Sequence, residues 1–129
     1  MSKGSYSPHQ SSIANMDANI MAILTYALPV IAAYLPIVWR IAWLIPILIF
    51  FMEKKSNLVK FHAMQSVVLY VVRVIVISIL HVIPLLGGLA SFIVGIIFTL
   101  IAIVAVIGAF NYEEFRIPFI GDFVARLIK

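Results

Sequence analysis

The sequence predicts an all-α membrane protein of four transmembrane helices: a short N-terminal hairpin, two longer spans, an N-in/C-in topology and a short amphipathic C-terminal tail. Three observations point there. The 129 residues are 64% hydrophobic and only 11% charged, with a mean hydropathy of +1.17, whereas soluble domains are roughly half apolar and about a quarter charged. A polar, basic island from Glu53 to Gln65 separates two blocks too apolar to stay in water. Basic residues also collect at one set of span ends, which is the signal that orients membrane proteins.

Each element follows from the chain in order. Met1 to Ser12 is serine-rich with a glycine and a proline, the composition of a disordered cytoplasmic leader, here residues 1–15. Polar residues continue to Asn19 and no small-residue cleavage site follows a short apolar run, so the leader is not a cleavable signal peptide. The remainder, 16–129, forms a single four-helix membrane domain. Its first apolar block, Ala18 to Met52, is broken only by Arg40 and is too long for one span. It is expected to form a hairpin of spans 18–34 and 38–52 turning at Leu35-Pro36, with Trp39, Arg40 and Trp43 as interfacial anchors and Pro29 and Pro46 as kinks. One full span with a re-entrant segment is the alternative. Span three is expected over 63–82, ending at Pro84 and the Gly87-Gly88 turn, with His81 near its outer end, and span four over 89–110. The tail, 112–129, alternates Phe119, Ile120, Phe123, Val124, Leu127 and Ile128 with Asp122, Arg126 and Lys129, and is expected to lie along the membrane surface.

Orientation follows from counting cations. Lys3, the topology anchors Lys54, Lys55 and Lys60, and the tail's Arg116, Arg126 and Lys129 fall on one side, against Arg40 alone on the other. Both termini and the island are therefore assigned to the cytoplasm. The charge of +4 marks orientation rather than a nucleic-acid footprint, because no aromatic-interleaved basic patch accompanies it.

Span three carries the candidate chemistry. His62, Gln65, Ser66 and Arg73 share one side of a helix, and Arg73 lies eleven residues beyond His62, about three turns in and near the bilayer midplane. No acidic residue occurs in any predicted span, so Arg73 is left to backbone carbonyls, hydroxyls such as those of Thr25 or Tyr26, water, or an anion of lipid or substrate. This polar stripe either lines a path between helices or consists of a snorkelling arginine and a polar pair that caps the helix or contacts a neighbouring loop. No His-Glu-x-x-His pattern or second ligand at metal spacing is present, so no metal or cofactor is expected. With no cysteine, disulfides and thiolate chemistry are excluded. Span four instead carries small residues at three- and four-residue steps, Gly88, Ser91, Gly95, Thr99, Ala102, Ala105 and Ala109, a helix-packing face that serves this bundle, a homo-oligomer or a membrane protein partner.

The run Lys54-Lys55-Ser56-Asn57-Leu58-Val59-Lys60-Phe61-His62-Ala63-Met64-Gln65-Ser66, followed at the far end by Ala109-Phe110-Asn111-Tyr112-Glu113-Glu114-Phe115-Arg116-Ile117-Pro118-Phe119-Ile120-Gly121, resembles the pattern of the Tic20-like small membrane proteins, the domain of unknown function 4870 group. The resemblance covers about Met16 to Lys129 and implies a compact four-helix membrane domain. Plastid relatives are associated with protein import across the inner envelope, while most prokaryotic members have no assigned activity. Arg73 stands outside that pattern. The brief leader, lacking a transit peptide, points to a prokaryotic plasma membrane.

Three functions are compatible with these residues. One is a non-enzymatic accessory or scaffold subunit of a larger membrane complex. The second is a translocation or permeation component using the stripe, and the third a bacteriocin-immunity type of protective protein. The expected partners are the lipid bilayer and a membrane protein or second copy, with no nucleic acid. An enzyme is disfavoured because no acid/base pair or nucleophile occurs in the membrane.

Overall fold

The computed structural model describes residues 2–128, with side chains from Ser5 onward; Met1, Lys129 and the Lys3 side chain, the latter two counted above among the cytoplasmic cations, lie outside the described residues. Within that range the protein is all-α with five helices: α1 (Ala18–Ala33), α2 (Leu44–Met52), α3 (Asn57–Leu80), α4 (Gly87–Phe110) and α5 (Ile120–Leu127). A short antiparallel ribbon of β1 (Ser2–Ser5) and β2 (Glu113–Phe115) joins the leader to the tail.

Among the described residues, α3 and α4 are long and apolar enough to cross a membrane, each with 24 residues or about 36 Å. Their burial is low for core helices. Only 44% of the most apolar window of α3 and 28% of that of α4 is covered by the rest of the chain. The outward face of α4 presents Phe92, Ile96, Leu100, Ile103 and Ile107, all exposed. The third apolar helix, α1, has 16 residues, about 24 Å.

The hairpin arm expected over 38–52 is much less helical than that. Val38–Arg40 forms a single 3-10 turn, and α2 has only nine residues, about 13.5 Å. Pro46 fits the late start: in the first turn of α2 its missing N–H leaves no bond within the helix unmade, and its ring meets no helical carbonyl at Ala42. The segment nonetheless returns to the end from which α1 departs, because Glu53 after α2 bonds to Ser12 before α1. The two ends of residues 18–52 therefore lie side by side.

The island is the beginning of α3 rather than a linker. Ser56 accepts a hydrogen bond from the Val59 N–H at 3.2 Å, so the helix starts at Asn57 instead of 63. It ends at Leu80, and α4 starts at Gly87, where a Cβ would lie 2.4 Å from the Leu80 carbonyl oxygen.

Three corners use one device. Pro36, Pro84 and Pro118 are each followed by a residue of positive φ, Ile37 (69°), Leu85 (68°) and Phe119 (68°). In each, the next N–H closes back on the proline carbonyl, at 2.6, 2.7 and 2.8 Å. This is a tight three-residue turn that non-glycine residues adopt only under strain.

The core sits where α1, α3 and α4 meet: Tyr26, Leu69, Tyr70, Ala102 and Ala105 are buried together, with Ile117 of the tail closing it. The tail also packs against the bundle. Val124 and Ala125 of α5 bury against Phe61 of α3, leaving Phe123, Asp122 and Arg126 outward. The leader, expected to be disordered, is held in place by long-range partners that its local composition does not disclose.

Candidate functional site

The Pro29 ring has no N–H to give the Thr25 carbonyl, the acceptor four residues earlier in α1. Ser66 of α3 supplies the missing donor, its Oγ reaching the Thr25 oxygen at 2.5 Å. His62, one turn back, and the adjacent Gln65 complete a buried cluster. The Gln65 Nε2 donates to the Tyr26 hydroxyl at 2.7 Å and to the Phe115 carbonyl at 2.9 Å, and its Oε1 accepts from the Ile117 N–H at 3.0 Å. One amide thus occupies a carbonyl and an N–H of the tail, as a neighbouring strand would. His62 Nε2 faces the Glu113 carbonyl at 2.7 Å and its Nδ1 the Tyr26 hydroxyl at 2.8 Å. A carbonyl only accepts, so Nε2 carries the hydrogen, and Tyr26 donates to Nδ1 while accepting from Gln65. Tyr26, His62, Gln65 and Ser66 are all fully buried.

The leader is secured by Glu53, the one acidic residue in the basic island. Its carboxylate accepts from the Ser11 hydroxyl, the Ser12 N–H and hydroxyl (both 2.9 Å), and the Lys55 and Ser56 N–H groups (3.0 and 2.9 Å). Burial opposes the charge, but these bonds outweigh it and hold the carboxyl at about 2. His9 adds a bond to Ser56 Oγ at 2.7 Å. Tyr6 donates its hydroxyl to Glu114, and Arg116 bridges Glu114 at 3.5 Å and Asp122 at 3.3 Å. Burial, reinforced by the Glu114 carboxylate, pushes the Tyr6 hydroxyl up from its ordinary value. Lys54 and Lys55 are exposed at this same end and Lys60 is half-buried.

Arg73 does not join the other three stripe residues. Leu69 and Tyr70, both buried, intervene, and the early start of α3 places Arg73 about 7 Å beyond the helix midpoint, away from the island. It is 4% exposed and lies over the Tyr34 ring at 5.3 Å. Among the described residues no carboxylate lies within ion-pair distance of it. It borders a cavity of about 360 Å³ between the ends of α1, α3 and α4, shared with Tyr34, Trp39, His81, Gly88 and Ser91. The expected hydroxyl partners are engaged elsewhere, Thr25 with the Ala22 carbonyl at 2.6 Å and Tyr26 with His62.

The small-residue face of α4 is used inside the molecule. Ser91, Gly95, Ala102, Ala105 and Ala109 are buried toward α1 and α3. Thr99 is half-buried, bonded to the Tyr34 hydroxyl at 2.7 Å, and Gly88 is exposed at the cavity. Among the described residues no group of three His, Asp or Glu side chains is disposed to hold a metal ion. Sequence reasoning passed over Tyr34 and the role of Glu53, and offered Tyr26 to Arg73 rather than to His62 and Gln65. Only Glu53, a lone carboxylate among lysines, carried a local signal.

A family model described as the magnetosome magnetite crystal formation protein family matches residues 17–124, a stretch that includes the whole buried cluster. A UPF0132 membrane protein of Methanocaldococcus jannaschii is 27% identical over 114 residues, covering 88% of this chain and 72% of its own length. Another from that organism is 34% identical over 107 residues, covering 83% and 84%. A UPF0132 membrane protein of Archaeoglobus fulgidus is 37% identical over 82 residues, covering 64% and 80%. No solved structure matches the chain.

Proposed function

Because the chain belongs to the magnetosome magnetite crystal formation protein family, the group to which its Tic20-like island and tail motifs pointed, we propose that it is a non-enzymatic accessory or scaffold subunit of a larger complex in a prokaryotic plasma membrane. The observation that carries this is the division of labour in the bundle. The His62-Gln65-Ser66 cluster is consumed in holding α1, α3 and the tail together, while the outward row of α4 remains a long apolar face. The family description associates its members with magnetite crystal formation, and the archaeal relatives are described as membrane proteins. A membrane-embedded subunit acting by assembly accommodates both.

In this reading the chain crosses the membrane four times, the Leu35–Met52 arm making its return partly as turns. The leader, the island and the tail face the cytoplasm. Lys54, Lys55, Lys60, Arg116 and Arg126 gather at that end and Arg40 at the other, in keeping with the positive-inside rule. Since Gly95 is turned inward, a partner meets the opposite row. Purification from native membranes in mild detergent is expected to yield a stoichiometric membrane protein partner that is lost from the Ile96→Ala/Leu100→Ala/Ile103→Ala variant. A chain that purifies alone would remove the accessory role, and a partner retained by the triple variant would remove that face.

A further inference from the structure

We propose that the cavity beside Arg73 is a binding site for a phosphate-class oxyanion, with the guanidinium as its principal ligand. An arginine within a membrane helix is costly and is normally paired or functional. Arg73 is turned inward, not toward lipid, and among the described residues its positive charge has no acidic mate. All five acidic residues, Asp17, Glu53, Glu113, Glu114 and Asp122, lie outside α1, α2, α3 and α4, beyond the ends nearest the island. The opposite end of the bundle holds Arg73 and Arg40 with no carboxylate to balance them.

Two further donors face the same space. Ser91, 6% exposed, lines the cavity with an Oγ that has no hydrogen-bond partner among the described residues. A buried hydroxyl left unpaired is costly unless something occupies it. The N-terminus of the 24-residue α4 opens there as well: Leu86 provides no side-chain cap, and nothing lies within 4 Å of a Cβ built on Gly88. Helix N-termini favour negative charge, and arginine forks match phosphate oxygens in pairs. The cavity's about 360 Å³ is at the small end of ligand sites. Its remaining walls, among them Ala33, Ile77 and Phe92, are apolar, which suits an anionic headgroup with its glycerol and first methylenes as well as a free phosphate.

Trp39 lines the cavity and stands edge-on to His81 at 5.7 Å, so it reports occupancy once Trp43, the other of the two tryptophans, is replaced by phenylalanine. The purified full chain in nonionic detergent would be titrated with dioctanoyl phosphatidylglycerol, dioctanoyl phosphatidylcholine and inorganic phosphate. A saturable change in Trp39 fluorescence with the anionic lipid is expected, at least about tenfold weaker in Arg73→Gln. Gly95→Ala, which keeps the charge but places a Cβ 3.0 Å from Nη2, is expected to weaken binding less, as is Ser91→Ala. Saturation by the lipid alone identifies a headgroup as the source; Arg73-dependent saturation by phosphate identifies a soluble oxyanion. The proposal is overturned if no probe saturates, if phosphatidylcholine binds as tightly as phosphatidylglycerol, or if Arg73→Gln with unchanged helicity binds as the parent does. Should Arg73→Gln fail to fold, undiminished binding by both Gly95→Ala and Ser91→Ala overturns it equally.

Discussion

Replacing Gln65 with leucine keeps the volume of a buried side chain and removes its polar atoms. The Phe115 carbonyl and the Ile117 N–H then lose their partner, and the Tyr26 hydroxyl loses a donor. A buried polar group left unpaired costs about 1–3 kcal/mol, while side-chain bonds between membrane helices average nearer 0.6 kcal/mol. With two backbone groups orphaned, the tail's docking is expected to weaken by about 2–4 kcal/mol, or about 30- to 700-fold in the fraction released. The chain has no cysteine, so Val124→Cys, at a position with 0% exposure against Phe61, supplies a thiol that a membrane-impermeant maleimide reaches only when the tail lifts. The labelling rate would be compared with and without Gln65→Leu, using the exposed Lys54→Ala as control. A rate within about twofold of the parent would refute the assignment of Gln65 as the residue that holds the tail.

Two other perturbations probe neighbouring parts of the bundle. Ser66→Ala is expected to destabilise the protein by about 1–2 kcal/mol, but by less than about 0.5 kcal/mol in a Pro29→Ala background, where the restored N–H serves the Thr25 carbonyl; equal costs in a detergent-unfolding cycle would break that link. For Glu53 the folded carboxyl sits at about 2, below its ordinary value of about 4.3. Its contribution to leader docking is therefore complete above about pH 4.3 and is lost as pH falls from there through about 2. Amide exchange at Ser12, Lys55 and Ser56 is expected to accelerate across that window, corrected for its intrinsic pH dependence, and Glu53→Gln to flatten the profile and weaken protection at neutral pH; a flat parent profile would contradict it.

The positions of α1, α3 and α4 were legible because long apolar runs and proline or glycine boundaries are local properties. What local pattern hides is partnership at a distance. Asn57 to Phe61 looks like a loop by charge, yet the Ser56 cap starts α3 there. Ser11 and Ser12 have the composition of a flexible leader, but their partner is Glu53, some forty residues on. His62, Gln65, Ser66 and Arg73 do share a helix face, as their spacing required. Their separation into a closed cluster and an open cavity depends on Leu69 and Tyr70 filling the space between, and on Tyr34 arriving from α1. The small-residue face of α4 was legible as a packing surface; that it packs within the chain was visible only once α1 and α3 were laid against it.

The joining of leader, island and tail at one end of the bundle is tested most directly by a covalent link. Ser5 and Glu113 face each other across the β1–β2 ribbon. Facing residues in an antiparallel pair have Cα atoms about 4.5–5.5 Å apart, within disulfide reach. Oxidation of a Ser5→Cys/Glu113→Cys variant in native membranes should close an intramolecular loop in most chains, seen as a reducible gel-mobility shift, and added Gln65→Leu should reduce the yield. A chain that stays open, or forms only links between copies, would mean that the leader and tail do not meet and that the His62–Gln65 segment holds something else.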